Sequence, residues 1–458
     1  YTKIESNWLD KHIGKVKNIW VTNDSYSMII EAIASGANTD IIDLKIKKNT
    51  KLSGEISMIK QNIRKKIPIQ NEAKRVAKFI QKKMAINKKF SVLQALPDLN
   101  SGGVERGTLE VNKYLASKGY RSIIVSNGGR MVGQVLKDKG EHHKLAIGKK
   151  NILTIFTIFK LIKLIKKNKI DIVHARSRLP AWVCYFAIRF IKKVHRPIFI
   201  TTVHGPYSVN FYSSIMTKGD KVIVVSKMIQ DYVLKNYKID RKKIFLNYRG
   251  VSNKDFPFNF KAPKNWLKAW YQKYPQTKNQ IILTLPARIS RWKGQEDFIE
   301  LIEKLTHKYP NVHGLIVGEV KKKDKFKKEL EKKISKLKLN KNITFLGHRS
   351  DIREVMSISK IVFSLSIEPE AFGRVSLESL SIGIPVIGYA HGGVKEQLNK
   401  LLPKGLIDVG KVDDAKKLSI KWIRSAPDLK QNDFFTLEKM LNNTFNIYKE
   451  SIEKKRIT

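Results

Sequence analysis

Short apolar runs alternate with amphipathic stretches from residue 90 onward, and this alternation limits the chain to few architectures. Two series of apolar runs predict buried strands, the first at 90–96, 122–126, 170–175, 197–204 and 221–226, the second at 280–288, 312–318, 342–347, 361–366 and 385–390. The stretches between the first strands predict helices, among them 104–118, 153–167, 179–192 and 227–236. Strands that alternate with helices form parallel sheets with both faces covered. The sequence therefore predicts an α/β chain with two doubly wound, Rossmann-like domains that face each other across a cleft.

The two series and a basic break before them predict five parts of the chain. Between residues 45 and 89 there are fifteen Lys and Arg against Glu55 and Glu72, with a helical pattern in the second half. Such a composition is typical of a linker. The predicted parts are a short N-terminal piece (1–44), a basic linker and helix (45–89), a first Rossmann-like domain (90–255), a second Rossmann-like domain (256–430), and a C-terminal helix that packs back on the first domain (431–458).

The charge balance predicts an anionic partner. Lys and Arg number 89 against 40 Asp and Glu, which gives a formal net charge of +49. So basic a surface attracts nucleic acid, an anionic membrane or phosphorylated substrates. The single cysteine, Cys184, excludes an internal disulfide and fits a reducing cytosol. We therefore expect a cytoplasmic protein.

The most apolar segment, residues 151–167, predicts an amphipathic helix. A spanning helix needs about 18 uninterrupted apolar residues, and Lys160 and Lys163 interrupt this segment at helical spacing. We expect one face of the helix in a core and its lysines in water, in preference to insertion into a membrane.

Several residues with ligand-binding chemistry follow the predicted strands, where open parallel sheets bind their ligands. Gly102 and Gly103 precede a helix, so they can bring backbone N–H groups close to an anion or simply form a turn. They match neither the dinucleotide nor the P-loop pattern. His174 and His204 each end a strand and could be structural or functional. The sequence has no cluster with metal-ligand spacing, so we expect no metal.

Two cations lie where the second domain should bind its ligand. Arg288 ends a predicted strand, and Lys293 enters the next helix together with Gly294. Cations beside a helix N-terminus can hold a diphosphate, Arg through paired hydrogen bonds and Lys as a point charge. The alternative is that both are ordinary surface cations of a basic chain.

Glu370 and Glu378 stand eight residues apart and could form an acid–base pair, a pair of metal ligands or two acceptors for a bound sugar. On one helix they would lie about 12 Å apart, beyond the roughly 5–9.5 Å of glycosidase carboxylates. We expect Glu370 on the loop after strand 361–366 and Glu378 on a helix that begins near Gly373. They would then hold two parts of one ligand.

Taken in order, these elements resemble a retaining glycosyltransferase of the GT-B type, in the group 1 (GT4) family, over residues 90 to about 425. The matching segments are the Gly-Gly loop at 102–103, TTVHG at 201–205, VIVVS at 222–226, RGV at 249–251, ARISRWKG at 287–294, FLGHRSDI at 345–352, and the two glutamates at 370 and 378. The segments VERGTLEV and VHARSRLPAW are similar to members that act in lipopolysaccharide or envelope-glycan synthesis.

The resemblance implies a role for each matched residue. Arg288 and Lys293 would bind the donor diphosphate and stabilise the leaving nucleotide, Glu378 would bind the ribose, and Glu370 the transferred sugar. His204 would contact the donor sugar, and Gly102 and Gly103 would lie near the diphosphate and the acceptor. The full set of expected site residues also includes Ala371, Phe372, Gly373 and Arg374 in the donor loop, with His174, Ser226 and Gly347 as secondary candidates.

The same resemblance implies the reaction and its partners. The donor would be a UDP- or GDP-linked sugar, the acceptor an envelope lipid or saccharide, and no metal or other cofactor would take part. The configuration would be retained by front-face displacement, since no residue stands out as a covalent nucleophile. The basic surface would hold a bacterial enzyme of this type on the cytoplasmic face of the inner membrane, at roughly 1 kcal/mol per Lys or Arg near the surface.

The N-terminal piece has a second resemblance. Residues 19–44 follow the order strand, turn, helix, Gly, strand, and Glu31 precedes Gly36 by the same five residues that separate Glu378 from Gly383. The segment is similar to the end of an ELM1-like (mitochondrial-fission-type) domain, which would make the chain a truncated fusion. The alternative is a chance βα unit. We assign it no catalysis.

Two other classes of function remain open from the sequence. One is a nucleic-acid-binding protein, favoured by charge alone, without an RNP-like, zinc or helix-turn-helix signal. The other is a GT-B scaffold that binds a membrane or partner without turnover, although Arg288, Lys293, Glu370 and Glu378 are all present.

Overall fold

The computed structural model describes residues 16–22, 26–43, 56–61, 89–100, 102–148, 154–319 and 325–457. The chain forms two compact units, one of residues 1–88 with 453–458 and the other of residues 89–452. Residues 56–61 are helical. The helix predicted in the second half of the basic linker lies outside the described residues.

The N-terminal unit contains the predicted strand–helix–strand element. Strand β1 (Asn18–Thr22) pairs in parallel with β2 (Asn38–Ile42), and the helix Tyr26–Ala34 connects them. Gly36 follows this helix with φ +80°, and Gly383 follows its own helix with φ +81°. The matching spacing in the sequence therefore corresponds to the same left-handed turn at both places.

The larger unit begins with a seven-stranded parallel sheet in the order β5-β4-β3-β6-β7-β8-β9. Its strands are β3 (Ser91–Ala95), β4 (Arg121–Ser126), β5 (Glu141–Lys144), β6 (Ile172–Ala175), β7 (Ile198–Val203), β8 (Lys221–Val224) and β9 (Ile244–Leu246). The central strands β3, β6 and β7 are buried at every position, as expected for strands covered on both faces.

A six-stranded parallel sheet follows, in the order β12-β11-β10-β13-β14-β15. Its strands are β10 (Ile281–Pro286), β11 (Val312–Val317), β12 (Ile343–Gly347), β13 (Ile361–Ser364), β14 (Val386–Tyr389) and β15 (Leu406–Ile407). The two sheets confirm the predicted pair of Rossmann-like domains.

The helices between and after these strands cover the sheets. In the first domain they are Gly103–Ser117, Val132–Lys137, Thr154–Lys167, Arg178–Arg189, Phe211–Ser214 and Lys227–Asn236. In the second they are Lys264–Lys273, Gln295–Thr306, Lys325–Lys336, Ile352–Ser357, Arg374–Ser381, Gly392–Leu401 and Val412–Arg424, and the chain continues into Leu437–Ile457. Within the described ranges, no helix is both long and apolar enough to cross a bilayer.

The long C-terminal helix packs on the first sheet. Met440, Tyr448 and Ile452 are buried in one cluster with Val92 and Ile172 of the central strands. A return of the chain to the first domain therefore completes the core of that domain.

Three strands, β5, β9 and β15, were missing from the sequence prediction, and each is an outer strand of its sheet. β5 reads EHHK, and its four residues are half-buried or exposed. Outer strands are short and partly solvated, so they need no continuous apolar run.

The helix Thr154–Lys167 buries Thr157, Leu161 and Ile165, which confirms the expected core-facing side. Its other side is not purely polar, because Phe156 and Phe159 are 63% and 61% exposed. This second apolar surface was not anticipated.

Candidate active site

A pocket of about 480 Å³ opens between the two sheets of the larger unit, at the carboxyl ends of their strands. From the first domain, His204 follows β7 and Gly103 begins the helix after β3; from the second, Arg288 follows β10. Eight of the predicted site residues line this pocket: Gly103, His204, Arg288, Lys293, Glu370, Ala371, Phe372 and Arg374.

Three further predicted residues border the pocket without lining it. Gly102 and Gly373 precede the helices Gly103–Ser117 and Arg374–Ser381, with φ of 143° and 83°. Glu378 lies one turn into the second of these helices, whereas Glu370 lies on the preceding loop. The two glutamates thus occupy the separate elements that were expected of them.

None of the three secondary candidates lines the pocket. His174 is fully buried, with Nδ1 2.6 Å from the Tyr448 hydroxyl and Nε2 2.6 Å from the Thr202 hydroxyl. Ser226 caps the following helix, its Oγ accepting a backbone N–H at 3.2 Å. Gly347 ends β12 with φ 66°.

Lys293 and Glu370 form an ion pair in the pocket wall. The Lys293 Nζ lies 2.6 Å from the Glu370 Oε1, and their side chains are 12% and 23% exposed. The hydroxyl of Ser366 donates to the same carboxylate oxygen, and Nζ also lies 3.9 Å from the ring centre of Trp292. Because an ammonium has three N–H donors, Lys293 can keep Glu370 and still donate to a phosphate.

Two glycines allow the loop that carries Glu370 to approach the neighbouring backbone. A Cβ on Gly294, whose φ is +75°, would lie 2.0 Å from the carbonyl oxygen of Leu365, and one on Gly393 would lie 2.4 Å from Cα of Phe372. The backbone N–H of Gly393 donates to the carbonyl of Glu370 at 2.8 Å. These contacts hold the loop against the starts of two helices, and they explain the glycines in the KG and HGG segments.

Arg249 fixes the ring of His204. The Arg249 Nη2 lies 2.9 Å from the His204 Nδ1, and since a guanidinium can only donate, Nδ1 must accept. Burial, aided by the charges of Arg249 and Arg176, lowers the pKa of His204 well below its usual range, so the ring is neutral. Its proton therefore lies on Nε2, which is buried and has no hydrogen-bond partner within the described parts of the chain. His204, which lines the pocket, thus has one N–H donor without a partner among the described residues.

Arg249 occupies this position because a glycine faces it. A Cβ on Gly107 would lie 2.6 Å from the Arg249 Nη1, and one on Gly250 would lie 2.2 Å from the carbonyl oxygen of Thr436. The missing side chain of Gly107, on the helix Gly103–Ser117, therefore leaves room for the Arg249 guanidinium. The missing side chain of Gly250 lets the RGV segment approach the backbone of Thr436.

Two ion pairs join the domains beside the pocket. Arg106 Nη1 lies 2.8 Å from Glu378 Oε1, and Arg374 Nη2 lies 3.1 Å from Glu110 Oε1. Arg374 Nε is also 3.6 Å from Glu378. Burial raises the pKa of the Glu378 carboxyl group. The charges of Arg374 and Arg106 lower it, but to a smaller extent. The carboxylate expected to bind a ribose is thus paired with cations of both domains.

The inner wall of the pocket carries an excess of positive charge. Of its lining residues, Arg249 is buried and Arg374 nearly so. Arg176 is buried as well but does not line the pocket, and Glu110 is the carboxylate that acts on Arg176 and Arg249. Nε and Nη1 of Arg374 are buried without a hydrogen-bond partner in the described residues. Arg288 adds an exposed guanidinium at the rim. Buried guanidinium N–H groups without a hydrogen-bond partner, in a pocket whose lining cations outnumber its carboxylates, favour an anionic ligand.

The described residues contain no group of three His, Cys, Asp or Glu side chains that could hold a metal ion. The chemistry of the pocket is that of guanidinium, ammonium and imidazole donors around two carboxylates, Glu370 in the wall and the exposed Glu368. Such a set can bind a diphosphate and stabilise charge that develops on it.

Sequence reasoning missed Arg106, Glu110 and Arg249. Arg106 and Glu110 are four residues apart on one predicted helix, as Arg374 and Glu378 are on another, with charges in the same order. In the structure these four side chains pair across the two helices; the matching spacing fits this pairing but does not by itself determine it. Arg249 was noted only as part of a motif, and nothing nearby in sequence points to its contact with His204.

Three known protein families match different parts of this chain. The profile of Glycosyl transferases group 1 matches residues 268–434, and that of Glycosyltransferase Family 4 matches residues 101–254. The profile of Mitochondrial fission ELM1 matches residues 1–84. These matches confirm both resemblances found in the sequence.

Solved structures show the same architecture. The crystal structure of a glycosyltransferase from Rickettsia africae is 33% identical, with a TM-score of 0.70 over 79% of this chain and 98% of that one. HepE from Anabaena, in complex with UDP and glucose, is 18% identical with a TM-score of 0.63 over 80% and 97% of the two chains. WaaG, a glycosyltransferase involved in lipopolysaccharide biosynthesis, is 15% identical with a TM-score of 0.55 over 80% and 98%.

Proposed function

The chain belongs to the group 1 glycosyltransferases, and from that premise we propose that it transfers a sugar from a nucleotide-diphosphate sugar to an envelope lipid or saccharide. We propose further that the transfer retains the anomeric configuration and needs no metal. The enzyme would act from the cytoplasmic face of the inner membrane.

The observation that carries the proposal is the cationic pocket with Arg288 at its rim, Lys293 in its wall and unpartnered N–H groups on Arg374. A sugar nucleotide brings a diphosphate that would supply the missing negative charge. HepE, of the same fold, is described with UDP and glucose bound, which supports this class of donor. The description of WaaG supports an acceptor in lipopolysaccharide biosynthesis.

Cleavage of the sugar–phosphate bond places negative charge on the leaving diphosphate and positive charge on the anomeric carbon. Arg288 and Lys293 would stabilise the first charge, together with the N-terminus of the helix Arg374–Ser381. The Glu370 carboxylate, fixed by Ser366 and Lys293, would face the second. His204 would donate from Nε2 to a sugar hydroxyl, which orients the donor.

Ribose binding by Glu378 would require a change of partners. Arg106 occupies Oε1 of Glu378 at 2.8 Å, so a ribose hydroxyl would share or replace this guanidinium.

A thermal-shift panel of UDP- and GDP-linked sugars tests the donor class, because a ligand that binds the folded state raises Tm. Product release, measured as free UDP or GDP, then tests turnover, and the anomeric configuration of the product by NMR tests retention. Undiminished turnover in EDTA is expected, and a trapped covalent glycosyl-enzyme would contradict front-face displacement.

The matched control for the pocket is Lys304, whose Nζ also pairs with a carboxylate at 2.6 Å but on the outer surface, with Asp413. Lys304→Ala should leave both the nucleotide-induced Tm shift and the turnover unchanged, whereas Lys293→Ala should reduce both. Steep salt-dependent binding of nucleic acid without any sugar turnover would support the nucleic-acid-binding alternative instead. Membrane binding without turnover would support the scaffold.

A further inference from the structure

The outer surface of two neighbouring helices, Thr154–Lys167 and Arg178–Arg189, carries exposed aromatic rings that the active site does not use. Both helices bury their inner sides in one core, where Leu161 and Ile165 meet Ala187 and Ile188. Because the two helices also pack against each other, their outward sides form one surface.

On the first helix, Phe156, Phe159, Lys160, Lys163 and Lys167 recur at the spacing i, i+3, i+4, i+7 and i+11. This spacing places them on one stripe of the helix, opposite the buried side. All five are exposed, and the two phenylalanines are 63% and 61% accessible. The stripe therefore begins with two aromatic rings and continues with three cations.

The second helix repeats this arrangement. Phe186 and Phe190 are 43% and 66% exposed at i and i+4, and Lys192 and Lys193 follow them at the surface. Trp182 extends the aromatic surface, since its ring centre lies 5.5 Å from that of Phe186 and 5.1 Å from that of Phe211.

The ratio of basic to acidic residues is higher in this region than in the whole chain. Residues 154–196 contain eleven Lys and Arg and one acidic residue, Asp171, against 89 and 40 in the complete sequence. Asp171 is itself engaged away from this surface, where it accepts hydrogen bonds from the backbone and hydroxyl of Ser91 at 2.8 and 3.0 Å. The surface is thus aromatic and cationic, with no available anion of its own among the residues 154–196.

We propose that this surface, defined by Phe156, Phe159, Lys163, Lys167, Phe186 and Phe190, docks the protein on an anionic lipid bilayer. Helices of this kind lie in the headgroup region, with rings at the acyl boundary and Lys chains extended to lipid phosphates. Polynucleotide binding is less well matched, since the rings lie on convex helices and not in a groove along which bases could stack. The inference rests on the proposed membrane-linked acceptor and deepens it by assigning the contact surface.

Flotation of the full chain with vesicles tests this inference. The wild type should float with vesicles of 70% phosphatidylcholine and 30% phosphatidylglycerol at 50 mM salt, and should dissociate at 500 mM salt or on pure phosphatidylcholine. F156S/F159S should bind on the order of tenfold more weakly because two rings no longer partition. K163Q/K167Q should bind roughly thirtyfold more weakly, at about fivefold for each Lys.

The chain offers a matched control for the lysine pair. Lys417 and Lys421 are also exposed and four residues apart, on the helix Val412–Arg424, so K417Q/K421Q removes the same charge from another surface. It should change vesicle binding less than twofold. Leu136→Ser is the control for the aromatic pair. It removes an apolar side chain that is 58% exposed on another surface, and it should also change vesicle binding less than twofold.

Release of UDP or GDP from the donor in the absence of vesicles should be the same in every variant, which shows that each is folded and separates this inference from the proposed function. Loss of donor turnover with intact flotation would refute the function and leave the docking surface standing. The docking surface is wrong if the wild type fails to float, or if both lysine pairs weaken binding equally. It is also wrong if F156S/F159S abolishes a dimer, or the binding of single-stranded RNA, and leaves flotation unchanged.

Discussion

Replacement of Arg249 by methionine is expected to stabilise the protein while it slows sugar transfer. Arg249 is 8% exposed. Burial, followed by the charge of Arg176, lowers the pKa of Arg249 by several units, to about 9. Because one pKa unit corresponds to about 1.4 kcal/mol, holding this charge in the fold is unfavourable by roughly 5 kcal/mol. Methionine removes the charge and keeps most of the buried volume.

The substitution also removes the donor to Nδ1 of His204, and an unsatisfied buried acceptor costs about 1–3 kcal/mol. The net expectation is a gain of about 2–4 kcal/mol in the free energy of unfolding. Turnover should fall on the order of ten- to a hundredfold, because the proton of His204 is no longer confined to Nε2 and the pocket loses a cation.

Urea denaturation at pH 7.5 without substrate measures the first effect, as a higher midpoint with an unchanged slope. Release of nucleotide under saturating donor measures the second. Arg291→Met is the control, since Arg291 is 66% exposed and pairs with Glu329 at the surface, where the change should stay within about 0.5 kcal/mol. If R249M is less stable than the wild type, the contacts of the Arg249 guanidinium stabilise the fold by more than its desolvation destabilises it. If turnover is unchanged, Arg249 has no role in fixing the ring of His204.

Three other substitutions or conditions test the site and its surroundings. Lys293→Ala should lower kcat about 10²–10³-fold in the nucleotide-release assay, by loss of one donor to the leaving phosphate; full activity would refute its role. Glu110→Gln should reduce the free energy of unfolding by about 3 kcal/mol in urea, since the buried guanidiniums lose their carboxylate, and an unchanged midpoint would contradict this. His174, His204 and His313 have pKa values below the unfolded value of about 6.5, so unfolding takes up protons below pH 6.5. Stability should therefore fall between pH 6 and 5, by at most about 4 kcal/mol per pH unit, because the raised pKa values of Glu105 and Glu378 act in the opposite direction; His313→Gln should make this loss shallower, and a Tm that does not change with pH would contradict it.

Much of the fold followed from local chemistry. Buried parallel strands need continuous apolar runs, so β3, β6, β7 and β10 were visible in the sequence. The short outer strands β5, β9 and β15 need no such runs, because water covers part of their surface, and they were missed.

Much of the pocket followed from position. Parallel strands bring their carboxyl ends to one edge, so His204, Arg288 and Glu370 could be placed together before any contact was known. The same reasoning also selected His174, whose two ring nitrogens bond to Tyr448 and Thr202 inside the core. The end of a strand does not reveal on which side of the sheet a side chain finds its partners.

The sequence alone determined the two sheets, the loops that meet between them and the excess of positive charge, because period, turn residues and composition are local properties. Only the tertiary structure decided which of those charges pair. Arg106 meets Glu378 across 272 residues, and Arg249 meets His204 across 45, in contacts made by the docking of separate elements. Coulombic and hydrogen-bond energies depend on distances of a few ångströms in space, and no spacing along the chain fixes those distances.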